Sequence, residues 1–359
     1  LNERYENIEA SSLNDIKRII LLIEDCRNFG TLPFAHTARA GFVATTLLKS
    51  FVVESILDED RLADFMHNVN SVSQQFIADR HGLSSKALLK RYGHLRPGTY
   101  EINSQAYWED PEKYLSATEA NLLNADDEFA FSPVEREALN NVLKEMGADV
   151  SVEELSAYLV RAIQLREAIK FEFTRNLSRA LDLCTQFGLS LGISRSEFAY
   201  LEFDDLRQYS LNLFDADTLK ARIQERKHAY TVTQMMELPP VILSESNFYC
   251  FERGESEPNF VTTKDVIADV CVLSEDTDQK LIGQIVVIPQ ADPGYDWLIG
   301  CGIAGLITKY GGANSHMSIR AAESGLPAAI GVGEKLYESI SKMKKLHLDC
   351  ANRTMREVG

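Results

Sequence analysis

Apolar residues in the first two thirds of the chain recur at spacings of three and four, the pattern of one helix face. Two examples are Ile16, Ile19, Ile20, Ile23 and Leu155, Leu159, Ala162, Ile163. Ser151 is followed three residues later by Glu154, a capping-box pattern that predicts the start of a long helix reaching about Phe187. Residues 1–240 are therefore predicted to form an all-α domain.

After Pro239 and Pro240 the pattern changes to short β-rich runs that alternate with helix-like segments. The predicted strands are Val241 to Leu243, Phe248 to Phe251, Val266 to Leu273, Ile282 to Ile288, Gly305 to Thr308, Ala328 to Val332 and Lys345 to Asp349. The predicted helices between them are Tyr295 to Cys301, Ser315 to Ser324 and Glu334 to Lys344. This alternation predicts a compact α/β domain over residues 241–359 and hence a multi-domain chain.

The composition and charge of the chain limit the classes of binding partner that we expect. The 359 residues include 37 basic and 53 acidic side chains, a formal net charge of -16, which disfavours binding to nucleic acid or to anionic membranes. The sequence has neither a membrane-spanning apolar run nor a signal peptide. Its six cysteines form no CxxC pair and no cluster at zinc-ligand spacing. We therefore expect free thiols, a cytoplasmic location and no metal site in this sequence.

The candidate chemistry lies where a predicted strand passes into a predicted helix. Gly311 and Gly312 permit backbone torsions and close approaches that side chains would block. Asn314 or Ser315 can cap the helix, and His316 then falls in its first turn. Free N–H donors and the positive end of the helix dipole favour an anionic group there. The segment suits a histidine that carries a phosphoryl group.

Arg320 follows His316 by four residues, so both lie on one helix face and the guanidinium could neutralise such a group. Gly325-Leu326-Pro327 then ends the helix. A lone histidine at a helix start is more often a capped, hydrogen-bonded residue without catalytic function. The surrounding sequence decides between these two interpretations.

That surrounding sequence resembles the phosphohistidine (swivelling) domain of the phosphoenolpyruvate (PEP)-utilising enzymes. The family includes PEP synthase, pyruvate phosphate dikinase and rifampicin phosphotransferase. The resemblance covers roughly the last 100 residues. The matching positions are Gly311, Gly312, His316, Glu323, Gly325, Leu326, Pro327, Ala328 and Gly331.

Two positions depart from the family pattern. Asn314 stands where threonine is common, and Arg320 lies two residues before the usual helix arginine. The variant segment 314–323, together with 291–297, is similar to PEP-synthase-like proteins of capsule gene clusters, which include L-glutamine kinases. The subgroup resemblance implies an amide as the phosphoryl acceptor, with a sugar, an antibiotic hydroxyl and pyruvate left open.

The resemblance implies that His316 receives its phosphoryl group from ATP, bound with Mg²⁺ by an ATP-grasp domain, with AMP and phosphate as products. No such domain is recognisable, and the first residue is Leu1, so we expect it to be missing at the N-terminal side. We expect this fragment alone to be inactive with ATP. As in rifampicin phosphotransferase, a helical domain ahead of the histidine domain is expected to bind the small-molecule acceptor.

Phosphoryl transfer needs cations and a group that orients the nucleophile. The candidates in the helical domain are His36, Arg39, His94, Arg96 and Glu101. The alternative is structural: Arg96-Pro97-Gly98 can be a tight turn. Arg161, Arg166 and Lys170 are more often an exposed helix face.

Two other hypotheses remain. The histidine domain could be a non-catalytic regulatory module, or a phosphocarrier that receives its group from another protein. The sequence leaves the oligomeric state open.

Overall fold

The computed structural model describes residues 1–69, 72–115, 129–236, 242, 244–249, 257–273, 281–313 and 315–358. Up to residue 236 the described chain is helical. Its helices are α1 Asn2–Glu9, α2 Asp15–Asp25, α3 Leu32–Val53, α4 Glu59–Asn68, α5 Val72–Gly82, α6 Ser85–Tyr92, α7 Pro111–Leu115, α8 Pro133–Glu145, α9 Val152–Ser190, α10 Arg195–Phe198, α11 Phe203–Ser210 and α12 Ala216–Thr233. A π-helical turn, Cys26–Thr31, joins α2 to α3.

Helix α9 is the central support of the helical part, with α2 and α3 packed along it. It has 39 residues and begins with the predicted capping box, in which the Ser151 hydroxyl accepts the Glu154 amide. Leu159 lies in an apolar cluster with α3, and Leu183 in a second cluster with α2 and α12. One continuous helix thus connects two separate cores.

The C-terminal part is a seven-stranded sheet with the strand order β1-β5-β4-β3-β2-β6-β7. The strands are β1 Asn259–Val261, β2 Asp265–Val272, β3 Ile285–Gln290, β4 Gly305–Tyr310, β5 Ala328–Ile330, β6 Lys345–Asp349 and β7 Thr354–Glu357. Strands β2 to β5 are parallel, and β1, β6 and β7 are antiparallel to their neighbours. Helices α13 His316–Glu323 and α14 Gly333–Ile340 connect the later strands. Strands β3 and β4 are buried along most of their length, as parallel strands usually are.

Several predicted elements differ from the structure. The strand predicted from Phe248 is wrong at its start, because Glu245–Phe248 is a 3₁₀ helix. There the hydroxyls of Ser244 and Ser246 form a local hydrogen bond, a contact that competes with strand pairing. The predicted helix at Tyr295 is also a 3₁₀ helix, Pro293–Cys301. The predicted boundary at 240/241 and most of the predicted strand at Val241 lie outside the described residues.

The helical part and the sheet share one apolar cluster. Phe76, Tyr92 and Tyr107 from the helical part pack in it with Trp297 and Met317 from the sheet part. The cluster fixes the 3₁₀ helix Pro293–Cys301 against the segment after α6. Within the described residues, no helix combines the length and apolar character that crossing a membrane requires.

Candidate functional site

The candidate site lies at the carboxyl ends of two parallel strands. Strand β3 ends at Gln290 and β4 ends at Tyr310, and they are neighbours in the sheet. Ligands of open α/β sheets bind outside this edge of the sheet. The predicted glycine turn follows β4 here, and α13 begins at His316.

Two glycines close the turn. Gly311 has a φ of 141°, and a Cβ there would lie 2.8 Å from Ala291 and 2.9 Å from Ile330. Gly331 has a φ of 73°, and a Cβ there would overlap the Gly311 carbonyl. Gly312 has open space around it, so packing does not require glycine at that position. The turn therefore depends on Gly311 and on Gly331, a residue that the motif alone did not single out for packing.

Ser315 occupies the N-cap of α13, but its side chain makes no capping hydrogen bond. Its Oγ is buried and has no hydrogen-bond partner among the described residues. Asn314, the other predicted cap, lies outside the described residues. His316 is the first residue of the helix, as predicted.

His316 is paired with a carboxylate. Its Nε2 lies 2.7 Å from Asp296 Oδ1, and the side chains of His316 and Asp296 are only 17% and 12% exposed. Arg320 Nε lies 3.7 Å from the same oxygen, on a residue that is 2% exposed. A carboxylate at this distance orients the imidazole ring. Arg320 thus shares the site with His316, through Asp296.

Asp296 was not among the site residues predicted from the sequence, in which Asp292 and Asp296 are both candidates for capping the helix that follows. The cap is in fact Asp292, whose Oδ1 accepts the Gly294 amide at 3.3 Å. Only one of these two aspartates is needed to cap the 3₁₀ helix. The second aspartate was therefore the sequence signal for a residue of the functional site. Trp297 is 3% exposed in the shared core.

His316 opens onto a cavity of about 450 Å³ between the sheet part and the helical part. The sheet part contributes Gln290, Ala291, Asp292, Gly294, Asp296, Tyr310, Gly311, Ser315 and His316. The helical part contributes Phe34, Val72, Phe76, Tyr92, His94, Leu95, Arg96, Thr99, Arg166, Glu167, Lys170, Phe171 and Thr174. The structure therefore brings the histidine opposite a wall formed by the predicted acceptor-binding part.

One face of α9 supplies the charged groups of that wall. Arg166, Glu167 and Lys170 line the cavity at helical spacing, although the sequence favoured an exposed face for Arg166 and Lys170. Burial lowers the pKa of Lys170, and the nearby carboxylates of Asp292 and Asp296 oppose that shift. Glu167 Oε2 is buried without a hydrogen-bond partner among the described residues. Phe171 and Thr174 lie on the same face of α9. This recurrence at helical spacing is the sequence signal that could have identified the cavity wall.

His94 and Arg96 also line the cavity, but their polar groups bind the protein itself. His94 Nε2 lies 3.0 Å from the Phe171 carbonyl, and burial lowers the His94 pKa to about 3. Arg96 donates to the hydroxyl and carbonyl of Ser178, to Asp182 and to the Ser104 carbonyl. These contacts hold the segment after α6 in place, which supports the structural alternative for Arg96.

The other acceptor candidates lie elsewhere. His36 and Arg39 occupy exposed positions of α3, and Glu101 is exposed and accepts from Asn103. None of these three is among the residues that line the cavity.

The described residues contain no group of three or more His, Cys, Asp or Glu side chains arranged to hold a metal ion. Cys26, Cys184, Cys271, Cys301 and Cys350 are free thiols in the structure.

Residues 282–353 match the protein family described as "PEP-utilising enzyme, mobile domain". The match includes Gly311, His316 and Arg320 and supports the predicted resemblance to PEP-utilising enzymes. It implies a swivelling, phosphohistidine-carrying module of a phosphotransferase. No curated protein matches the chain. The resemblance to L-glutamine kinases stays a prediction.

Proposed function

We propose that His316 carries a phosphoryl group and delivers it to a small-molecule acceptor bound in the cavity. The observation that carries this proposal is the position of His316: it begins a helix after a glycine turn and opens onto a cavity whose opposite wall is helical. The family match over residues 282–353 supports the same function.

The carrier step suits an imidazole. A ring nitrogen is nucleophilic near neutral pH, and the phosphoramidate that it forms remains reactive. ATP, bound with Mg²⁺ by an ATP-grasp domain outside this sequence, would supply the group, with AMP and phosphate as the overall products. In the first step the P–O bond between the α- and β-phosphates breaks, AMP leaves and a P–N bond to the imidazole forms. Water then breaks the P–O bond between the β- and γ-phosphates and releases phosphate, which leaves the β-phosphoryl group on His316. In the second the P–N bond breaks as the acceptor attacks phosphorus.

The charged groups of the cavity fit the second step. Charge spreads over the phosphoryl oxygens during transfer, and Arg166 and Lys170 are cations on the wall opposite His316. The acceptor loses a proton as its new bond forms, and a carboxylate beside the nucleophile can take that proton. The carboxylates that line the cavity are Asp292 and Asp296 on the sheet side and Glu167 on the helical side.

The amide of L-glutamine is the first acceptor to test, on the subgroup resemblance. The lining favours a second candidate, because Phe34, Phe171 and Tyr310 give the cavity an aromatic character suited to an apolar body. An antibiotic-like molecule that offers a hydroxyl would use such a lining. A sugar or pyruvate remains a further alternative.

The carrier function is tested by incubating full-length protein with ATP labelled at the β-phosphate and locating the label. We expect acid-labile label on His316, and none in His316→Ala. His347→Ala is the matched control, because His347 also contacts a carboxylate, Asp265, at 3.2 Å, away from the cavity. Equal labelling of wild type and His316→Ala would overturn the proposal. Labelling from PEP without ATP would favour the phosphocarrier hypothesis, and no labelling from either would favour the regulatory module.

The acceptor is identified by mixing labelled protein with L-glutamine, a panel of hydroxyl-bearing antibiotics, sugars and pyruvate. Phosphorus NMR of the product separates a P–N from a P–O bond. A P–N product with L-glutamine supports the first candidate, and a P–O product with an aromatic or apolar hydroxyl compound supports the second.

A further inference from the structure

The sheet part contacts the helical part beside the cavity through the start of its 3₁₀ helix, Pro293–Cys301. Thr99 Oγ1 donates to Asp292 Oδ1 at 2.7 Å, and the Tyr107 hydroxyl donates to the Gly294 carbonyl at 2.9 Å. Both bonds join residues nearly two hundred positions apart in the sequence. They join the strand end next to His316 to the segment that follows α6.

Gly294 is the tightest point of this contact. A Cβ built at Gly294 would overlap the Arg96 carbonyl group and the Pro97 Cα. These are backbone atoms, which cannot rotate away as the end of a flexible side chain can. Gly294 has no left-handed torsion that would require glycine. The contact with the helical part is therefore the reason for glycine here.

The backbone that Gly294 meets is held rigidly. Arg96 is 2% exposed, and its side chain is fixed by Ser178, Asp182 and Ser104. Because α9 supplies Ser178 and Asp182, the Arg96 carbonyl is attached to the same helix that carries the cavity wall. A shift of this carbonyl to admit a side chain would break the buried contacts of the guanidinium.

Aromatic side chains complete the contact. Tyr114 stacks edge-to-face on Trp297 with ring centroids 5.4 Å apart, and Tyr107 stacks on Tyr114 at 4.5 Å. The Trp297 ring nitrogen is buried and has no hydrogen-bond partner among the described residues. Separation of the two parts would return this N–H to water, which favours a contact that can open.

We infer that Gly294, seated on the Arg96–Pro97 backbone, is the docking contact that brings His316 to the acceptor cavity and is dispensable when His316 receives its phosphoryl group. The inference rests on the proposed function. In this inference Arg96 holds the docking surface in place. Its side chain is therefore directed into α9 and not towards an acceptor.

The docking contact is tested first without any ligand, by the accessibility of Trp297. The chain has two tryptophans, Trp108 and Trp297, so Trp108→Phe leaves Trp297 as the only reporter. In this background Gly294→Ala should raise acrylamide quenching of Trp297 several-fold. Gly82→Ala is the matched control, because a Cβ there meets nothing within 4 Å. Equal quenching in the two variants would overturn the inference.

A second variant covers the case in which Gly294→Ala does not fold, as judged by circular dichroism. Tyr107→Phe removes only the hydroxyl that donates to Gly294. Increased quenching with retained secondary structure supports the docking contact, and unchanged quenching contradicts it.

Transfer is tested next, in full-length protein labelled from ATP and then mixed with L-glutamine or the acceptor found by the screen. Gly294→Ala should label His316 as wild type does but transfer the group about a hundredfold more slowly, because the reacting atoms are misplaced. Transfer at the wild-type rate would overturn the inference. Absence of label on wild-type His316 would instead contradict the proposed function. The quenching of Trp297 would still test the docking contact independently.

Discussion

At the scale of single residues, the contact between Asp296 and His316 determines what the imidazole can do. The carboxylate lies 2.7 Å from Nε2, in a site where both side chains are mostly buried. A charge-assisted bond of this kind fixes the ring orientation and decides which nitrogen holds a proton. Asp296 is thus a positioning residue for the proposed carrier.

Asp296→Asn keeps the size of the side chain but removes its charge. We expect label incorporation at His316 to slow by about a hundredfold, because the ring loses its partner for proton transfer. Asp265→Asn removes the analogous contact to His347 and should leave labelling unchanged. A similar loss in both variants would show that the effect is not specific to the site.

His94 makes the stability of the protein sensitive to acid. Burial lowers its pKa from 6.5 to about 3, so the folded protein holds the neutral ring while the unfolded chain binds a proton below pH 6.5. Stability is therefore lost as the pH falls from 6.5 towards 3. Between about pH 7.5 and about pH 5.5 this one proton should cost about 1 kcal/mol.

Urea denaturation at the two pH values measures this effect. Other groups titrate in the same range, so the comparison is with His94→Gln, which lacks the ionisable ring. The wild type should lose more stability than the variant on acidification. Equal losses would mean that His94 is not held neutral in the folded protein.

At the residue scale, the position of a residue could be predicted from the sequence where one local pattern determined it. The position of His316 and the role of Gly311 follow from neighbouring residues, and the structure places them as the motif predicts. Asp296 acts through a contact with a residue twenty positions away, so no local spacing marked it. Gly331 belongs to the motif, but its close approach to Gly311 was not predicted. His36 and Arg39 have suitable chemistry but lie on an exposed part of α3, which only the fold determines.

At the scale of elements, α9 connects the folding of the helical part to the cavity. The helix packs against α2 and α3 and presents Arg166, Glu167 and Lys170 to the cavity. A 39-residue helix is rigid enough to hold these side chains at fixed spacing. The side chains of the wall opposite His316 are therefore held at fixed positions along α9.

Lys170→Met removes the cation but retains most of the apolar stem. We expect transfer from labelled His316 to the acceptor to slow on the order of a hundredfold, since a fixed charge near the phosphoryl group is lost. Labelling of His316 from ATP should be unaffected. Lys220→Met, on an exposed position of α12, is the matched control. An equal effect on labelling and transfer would contradict a place for Lys170 on the acceptor side.

Long elements were predicted more reliably than short ones, for a physical reason. The capping box and periodicity of α9 are repeated over many turns, so the prediction does not depend on one residue. Strands β1 and β7 were missed because they have only three and four residues, and β1 in addition depends on pairing with β5, which is distant in sequence. The 3₁₀ helix at Pro293–Cys301 was predicted as an ordinary helix.

At the scale of the whole molecule, the net charge of -16 sets a condition on phosphate chemistry. An acidic protein repels anions at long range, so a phosphoryl group must be stabilised by cations at close range. Arg166, Lys170 and Arg320 lie around His316 and the cavity. Because the phosphoryl group is carried covalently, the acidic protein does not have to bind it as a free anion.

The shared apolar cluster makes a prediction about how the molecule unfolds. In the docked arrangement Phe76, Tyr92 and Tyr107 pack with Trp297 and Leu298, so unfolding of either part exposes apolar surface of the other. The 359-residue chain should therefore show a single endotherm in scanning calorimetry, although chains of this length often unfold in separate steps. Gly294→Ala should weaken the coupling and split the transition in two, while Gly82→Ala should leave one. Two endotherms in the unmodified chain would show that the parts unfold independently, and the contact around Gly294 would then add no cooperativity.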